Sequence, residues 1–172
     1  MRSLLAEGKG KPIYGVLGPR NPEAYVLKFK GVGKLVYVLG PYVTATGGVD
    51  NLQPYDLNLT LLEKYGPKGH VLFEGVIVSS SYGRVGRLME GYGQEAVMAF
   101  LDTPLEVCIE NVKKRRAARA DGREFNPQNL TSKYNEIVRS KAKMLAEGKV
   151  RVVDVNMKDG PKQILALLRK AK

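Results

Sequence analysis

Val71-Leu72-Phe73-Glu74-Gly75-Val76-Ile77-Val78 is an almost unbroken apolar run carrying one carboxylate. A run of this kind, without polar alternation, predicts a strand covered on both faces of a parallel sheet. Ala96-Val97-Met98-Ala99-Phe100-Leu101 and Val150 to Val155 read the same way. Stretches with helical spacing lie around them. Asn51 to Tyr65 sets Leu52, Leu59 and Leu62 on one face and ends at Gly66-Pro67. Thr103, Pro104 and Glu106 have the spacing of an N-cap, a first-turn proline and a capping box. The helix they start carries the stripe Leu105, Cys108, Ile109 and Val112. Thr131 to Glu147, stopped at Gly148, and Pro161 to Lys170 are further amphipathic segments. Buried-type strands alternating with helices predict an α/β fold with a mostly parallel sheet.

Towards the N-terminus the elements are shorter. Met1 to Glu7 has the pattern of a helix fragment, with Gly8 as its stop. Pro12 to Leu17, Ala24 to Phe29 and Leu35 to Leu39 are β-like, and Gly31-Val32-Gly33 is spaced to turn a hairpin between the last two. No internal repeat, low-complexity tract or linker interrupts the chain, so residues 1–172 are expected to form a single domain.

Composition narrows the function classes. At 172 residues, 44% hydrophobic and 26% charged, the chain can build a core and is not of a disordered class. No apolar run approaches the roughly 18 residues that cross a bilayer, and the first residues lack a secretory apolar stretch. A cytoplasmic, non-membrane protein is therefore expected. Cys108 is the sole cysteine and His70 the sole histidine, which excludes an internal disulfide and a Cys/His zinc site. The net charge of +11 suits a polyanionic partner, either nucleic acid or a phosphate-rich substrate. Lys113, Lys114, Arg115, Arg116, Arg119 and Arg123 lie within eleven residues. The competing reading of that cluster is a solvated basic face.

Parallel α/β sheets bind ligands beyond the carboxyl ends of their strands. At one such end, Glu74 is placed to hold a Mg²⁺-bound water or to take a proton from an attacking hydroxyl. Its alternative role is a structural pairing with an arginine. Arg115, Arg116 and Arg119 continue the stripe of Leu105 to Val112, with Arg123 and the loop Glu124 to Leu130 following. Such a group can neutralise a transferring phosphoryl group and close over it, or it can be an exposed helix end. The Gly/Thr-rich stretch from Gly40 to Asp50, with Tyr42 as its aromatic, can hold a ring by stacking and polar edge contacts. Alternatively Asp50 caps the helix that follows.

A phosphate-cradling loop has the form G-x-x-x-x-G-K-[ST]. The Gly-Lys pairs at Gly8, Gly10, Gly33 and Gly148 are not followed by Ser or Thr, and none has a glycine five positions earlier. Gly91-Tyr92-Gly93-Gln94-Glu95-Ala96 fits G-x-G-x-x-A but precedes a strand instead of following one.

The order of these pieces resembles the small P-loop kinases of bacteriophages, which are nucleotide-kinase-like and include kinases acting on hydroxymethylated pyrimidines in DNA. The resemblance rests on Gly40-Pro41-Tyr42 with Gly47-Gly48-Val49-Asp50 and on Val71-Leu72-Phe73-Glu74-Gly75. Leu101-Asp102-Thr103-Pro104-Leu105-Glu106-Val107-Cys108 running into Arg115-Arg116-Ala117-Ala118-Arg119 continues it, with Asn126-Pro127-Gln128-Asn129 ahead of Ser132-Lys133. It implies a three-layer P-loop-kinase-like domain whose first strand and phosphate loop are missing from this sequence, through a late start or degeneration. Two inner strands would then be left with unpaired edges. It further implies Glu74 as the acid ending the Walker-B-like strand and Arg115, Arg119 and Arg123 as members of a mobile lid over about residues 113–133. Tyr42, Gly48 and Asp50 become the acceptor site. ATP and Mg²⁺ are the implied cofactors of the complete protein, and the implied partner is a nucleotide or DNA. The expected function is transfer of the ATP γ-phosphate to a nucleotide or nucleobase hydroxyl, as in phage DNA modification, with this chain alone inactive. The alternative is a non-catalytic, basic nucleic-acid-binding domain.

Overall fold

Four consecutive buried residues, Val36 to Leu39, set the architecture around the candidate site. The computed structural model describes residues 1–43, 47–52, 54, 56–80, 83, 87–118 and 125–171. Its strands are β1 (Lys11–Ile13), β2 (Ala24–Leu27), β3 (Val36–Leu39), β4 (His70–Leu72), β5 (Val97–Asp102) and β6 (Arg151–Asn156). Its helices are α1 (Arg2–Glu7), α2 (Leu57–Tyr65), α3 (Val76–Ser80), α4 (Arg87–Glu90), α5 (Leu105–Ala117), α6 (Pro127–Glu147) and α7 (Gly160–Lys170). The chain is a mixed α/β protein. It divides into two compact units, residues 1–78 with 161–172, and residues 79–160.

In the first unit the described strands form one sheet in the order β1-β2-β3-β4. β1 and β2 run antiparallel, as do β2 and β3, while β3 and β4 are parallel. Successive side chains of a strand point to opposite faces, and β3 uses both. Val36 and Val38 pack with Leu4 of α1, Leu165 of α7, Leu27 and Phe29. Tyr37 stacks instead on Tyr65 at the end of α2, with ring centroids 4.8 Å apart. Helices thus cover both faces of β3, which is why its sequence lacks polar alternation. Each fully buried aliphatic side chain here contributes roughly 1.5–3 kcal/mol.

In the second unit β5 and β6 pair in parallel from Val97↔Arg151 to Asp102↔Asn156. Met98 and Phe100 are buried on one face, while Ala99 and Leu101 are exposed on the other. The expectation that β5 is covered on both faces is therefore corrected to one. α6 is longer than its apolar pattern suggested, because Asn126 caps it by accepting from Gln128 N–H at 2.8 Å and Pro127 opens it. Gly148, at φ 64°, ends it.

Other expectations need correction. The run from Val71 to Val78 is a strand only to Leu72, and the chain turns helical at Val76 despite its β-branched residues. A carboxylate from another loop caps that helix, and this tertiary contact overrides β propensity. The turn at Gly31 is part of a longer connection, residues 28–35, that buries Phe29 and Val32. The capping box at Thr103 does not form, since α5 starts at Leu105 without a side-chain cap. Two described sheets with both parallel and antiparallel pairings replace the mostly parallel sheet expected from the sequence.

The residue that joins the strands of the first unit to α2 is Glu23, fully excluded from solvent. Its carboxylate accepts from Tyr65 Oη at 2.6 Å and Val16 N–H at 2.8 Å, and it pairs with Lys64. Burial alone would raise its pKa, but these three partners outweigh it and hold the carboxyl below its ordinary value. The stabilisation is fully present above the unfolded value of 4.5 and is lost as pH falls through the lower folded value. Glu23→Gln should cost about 2 kcal/mol at neutral pH, by loss of charge-assisted hydrogen bonds. Lys64→Met should cost more, roughly 3 kcal/mol, because it strands a buried carboxylate. Urea titrations across pH test this. Glu23→Gln should also flatten the loss of stability below pH 4.5, and an unchanged acid limb would exclude Glu23 as its source.

Candidate functional site

Two loops meet at the carboxyl ends of β3 and β4. The loop leaving β3 starts at Gly40, with φ +96°, and reaches Gly48, with φ +97°. Both values lie in the region that favours glycine. A Cβ on Gly40 would stand 2.6 Å from the Gly48 carbonyl oxygen, and one on Gly48 would stand 2.5 Å from that of Glu74. Backbone therefore packs directly on backbone where the two loops touch. Val49 N–H donates to the Glu74 carbonyl at 2.9 Å, and Val76 N–H donates to Asp50 Oδ2 at 2.6 Å. Asp50 thus caps α3, reached through the other loop, and not the helix following it in sequence.

Tyr42 lies in the same cluster. Its N–H donates to Tyr25 Oη at 3.3 Å, its carbonyl accepts from Arg2 Nη2 at 3.0 Å, and its ring meets Tyr25 edge-on at 5.9 Å. Tyr42 Oη is buried and faces the Glu74 carboxylate. Burial pushes this phenol far above its ordinary pKa, and the charge of the nearby Glu74 adds to the shift, so Tyr42 keeps its proton. The Glu74 side chain is half-exposed, with Oε2 3.8 Å from the Met1 amino group at the start of α1. Four of the residues singled out in the sequence, Tyr42, Gly48, Asp50 and Glu74, are thus brought together by two loops. A buried proton donor stands beside a half-exposed carboxylate.

Arg115 lies near the end of α5 in the second unit and is exposed. The half-buried stripe of Leu105, Cys108, Ile109 and Val112 continues into Arg116 instead, whose guanidinium stands 5.5 Å from the centre of the Phe125 ring. Arg115 and Arg116 follow Val112 by three and four positions, so both stay near that face, and Arg116 is the one that packs on Phe125. Arg119 and Arg123 lie outside the described residues, as do residues 44–46 of the acceptor loop.

Among the described residues no group of three or more His, Cys, Asp or Glu could hold a metal ion. Mg²⁺ needs less, commonly one or two carboxylates with waters and substrate phosphates. Glu74, open on one side, fits that minimal role, while Asp50 already accepts from Val76 N–H. Sequence reasoning missed Glu23 and Tyr25, the residues that fasten this site to the sheet. One signal was available for Glu23, which is the sole acid between Gly8 and Val49.

Gly48→Ala should force the two loops apart, because its Cβ has no space and its φ is strained. We expect a stability loss of roughly 2 kcal/mol or more, measured by chemical denaturation. A neutral outcome would mean that the loops do not pack as described.

The 5-hmdU DNA kinase family matches residues 5–157 of the chain. A 5-hmdU DNA kinase of Pseudomonas phage PaMx11 is 32% identical over 145 residues, covering 83% of this chain and 75% of the relative. That of Pseudomonas phage M6 is 30% identical over 141 residues, covering 77% and 72%. The 5-hmdU DNA kinase 1 of Salmonella phage ViI is 29% identical over 145 residues, covering 77% and 64%. No solved structure gives a significant match. With the family match extending over most of its length, the chain belongs to the 5-hmdU DNA kinase family.

Proposed function

We propose that this chain is the acceptor-binding and scaffold part of a kinase that phosphorylates the hydroxyl of a hydroxymethylated pyrimidine in phage DNA, within the host cytoplasm. The observation that carries the proposal is the convergence of Tyr42, Asp50 and Glu74 on the Gly48 backbone, in a chain whose relatives are DNA kinases. Glu74 accepts the proton of the attacking hydroxyl. Tyr42 Oη, buried beside Glu74 and holding its proton, donates to a polar edge of the base. Asp50 and Gly48 hold the two loops in register so that these groups stay fixed. Bound ATP with Mg²⁺ supplies the phosphoryl group and part of the charge neutralisation. Arg115, Arg119 and Arg123, in a lid over about residues 113–133, supply cationic groups for the charge that develops on it.

The P-loop-kinase-like architecture is part of this proposal, with the two units read as parts of one domain. In that fold a further parallel strand, leading into a phosphate loop, lies beside the strand that carries Glu74. The supporting observation is that β4 is an edge strand with β3 as its one partner among the described residues. The start of α1, 3.8 Å from Glu74, is where a loop leading into that helix would bring phosphates to the carboxylate. The 172 residues contain no G-x-x-x-x-G-K-[ST], so the chain alone should not turn over ATP.

The test is radiolabel transfer from ATP to DNA containing 5-hydroxymethyluracil. The 172-residue chain should be inert. A version preceded by a strand and a Gly-Lys-Ser/Thr loop should be active, and Glu74→Gln in it should lower kcat about 100-fold. Ordinary turnover by the 172-residue chain would place the phosphate site elsewhere. In the active version, Arg119→Ala should lower kcat more than it raises KM, because a lid arginine acts on transition-state charge. A loss of thermal stability with activity per molecule intact would make Arg119 structural.

A further inference from the structure

β1 and the connection that follows it have no role in the site described above, yet they are placed to serve it. β2 runs antiparallel to both β1 and β3, with Ile13 beside Ala24 and Ala24 beside Leu39. The β1–β2 connection therefore emerges at the sheet edge where β3 ends and the acceptor loop begins. Gly40 N–H, the first residue of that loop, donates to the Glu23 carbonyl at 2.9 Å. Two strand spacings separate β1 from β3, which puts the connection roughly 10 Å from the acceptor loop.

The connection is held firmly and presents unusual residues. Gly18 N–H closes a turn on the Gly15 carbonyl at 2.9 Å, and the Glu23 carboxylate takes Val16 N–H from inside. Tyr14 is 52% exposed and Val16 63% exposed on this anchored loop, which is costly for an aromatic and a β-branched residue without a partner. Arg20 is exposed in the same connection, as are Lys11 in β1 and Lys9 just before it. Among the described residues none of these three cations forms an ion pair. From Gly8 to Val49 the sequence holds six cations, Lys9, Lys11, Arg20, Lys28, Lys30 and Lys34, and one acid, Glu23. That acid is buried and neutralised by Lys64, so this stretch presents no exposed negative charge.

We propose that β1 and the Tyr14–Arg20 connection form a DNA-contacting arm, with Arg20 and Lys11 on backbone phosphates and Tyr14 against a base. A duplex strand advances about 3.4 Å per nucleotide. An arm roughly 10 Å from the acceptor loop therefore meets the strand about three nucleotides from the base being modified. Phosphate contacts of this kind fix register and carry most of the affinity, while an aromatic platform tolerates any base. The competing role for Lys9 and Lys11 is to guard an edge strand against pairing with another chain. The proposal rests on the DNA-kinase reading, and its test separates the two.

The measurement is fluorescence anisotropy of the full chain with a labelled duplex containing 5-hydroxymethyluracil, over a salt series. Arg20→Ala and Lys11→Ala should each reduce the slope of log affinity against log salt by about 0.9. Tyr14→Ala should weaken binding about tenfold with the slope retained, and Tyr14→Phe should restore it. Lys158→Ala, an equal charge change in the other unit, should leave the slope unaltered. If the chain binds DNA and the arm variants keep wild-type affinity and slope, or Lys158→Ala shifts the slope equally, the arm is refuted and the kinase reading stands. If neither this chain nor its active version binds DNA, both fall.

Discussion

A carboxylate sealed from water is tolerable only when hydrogen-bond donors meet both its oxygens, and Glu23 meets that condition with three donors from two parts of the chain. Lys64 and Tyr65 come from the end of α2, and Val16 N–H comes from the β1–β2 connection. Its own backbone bonds Ile13 on one side and Gly40 on the other, each at 2.9 Å. One residue thereby fixes the exposed connection, the antiparallel strands and the beginning of the acceptor loop. A buried ion pair is weak evidence of net stability, because desolvation consumes most of its Coulombic gain. What it supplies here is position. Removing any partner leaves a charge or dipole that the interior cannot satisfy, so alternative placements of these three segments are penalised.

The acceptor cluster inherits its position from that arrangement. Tyr25 lies opposite Val38 on the face of β2 that α1 and α7 cover, and its hydroxyl accepts from Tyr42 N–H. The remaining order comes from backbone contact at Gly48, which a side chain would block. The site thus relies on two features that mutation cannot easily reproduce. One is a fully paired buried carboxylate, and the other is a loop crossing with no room for a Cβ.

Parts of this were legible in the sequence, and the limits have physical causes. Leu35 to Leu39 reads as β-like, and the structure adds that both faces of Val36 to Leu39 meet helices. The Gly40–Asp50 and Phe73–Gly75 stretches announce themselves by glycines and carboxylates at strand ends. Glu23 gives no local signal, since a single glutamate between Pro22 and Ala24 looks like any loop acid until its partners from α2 and residue 16 arrive. The alternative reading of Asp50, as a cap of the helix that follows, draws on a local pattern, whereas its bond with Val76 N–H spans 26 residues. The phase of Arg115 and Arg116 was lost for a related reason. A three-residue step and a four-residue step both stay near one helix face, and only packing on Phe125 distinguishes them.

The disagreements between sequence and structure share a direction. Val71-Leu72-Phe73 has the composition of an inner strand but is half-buried, and among the described residues β4 pairs on one side. Ala96 to Leu101 has the same composition, yet Leu101 is 63% exposed and Ala99 is exposed with it. In both strands the residues are more apolar than their surroundings require. Parallel strands normally sit inside a sheet with helices on both faces, because their crossovers place them there. Apolar residues cost little stability at a half-covered edge, but they expose a template for pairing that proteins ordinarily guard with charge. Edge strand β1 carries such a guard in Lys11, with Lys9 just before it, whereas the one polar residue of β4 is His70 at its start. The two edges of this sheet are therefore defended unequally, and the less guarded one is the parallel edge that leads into Glu74.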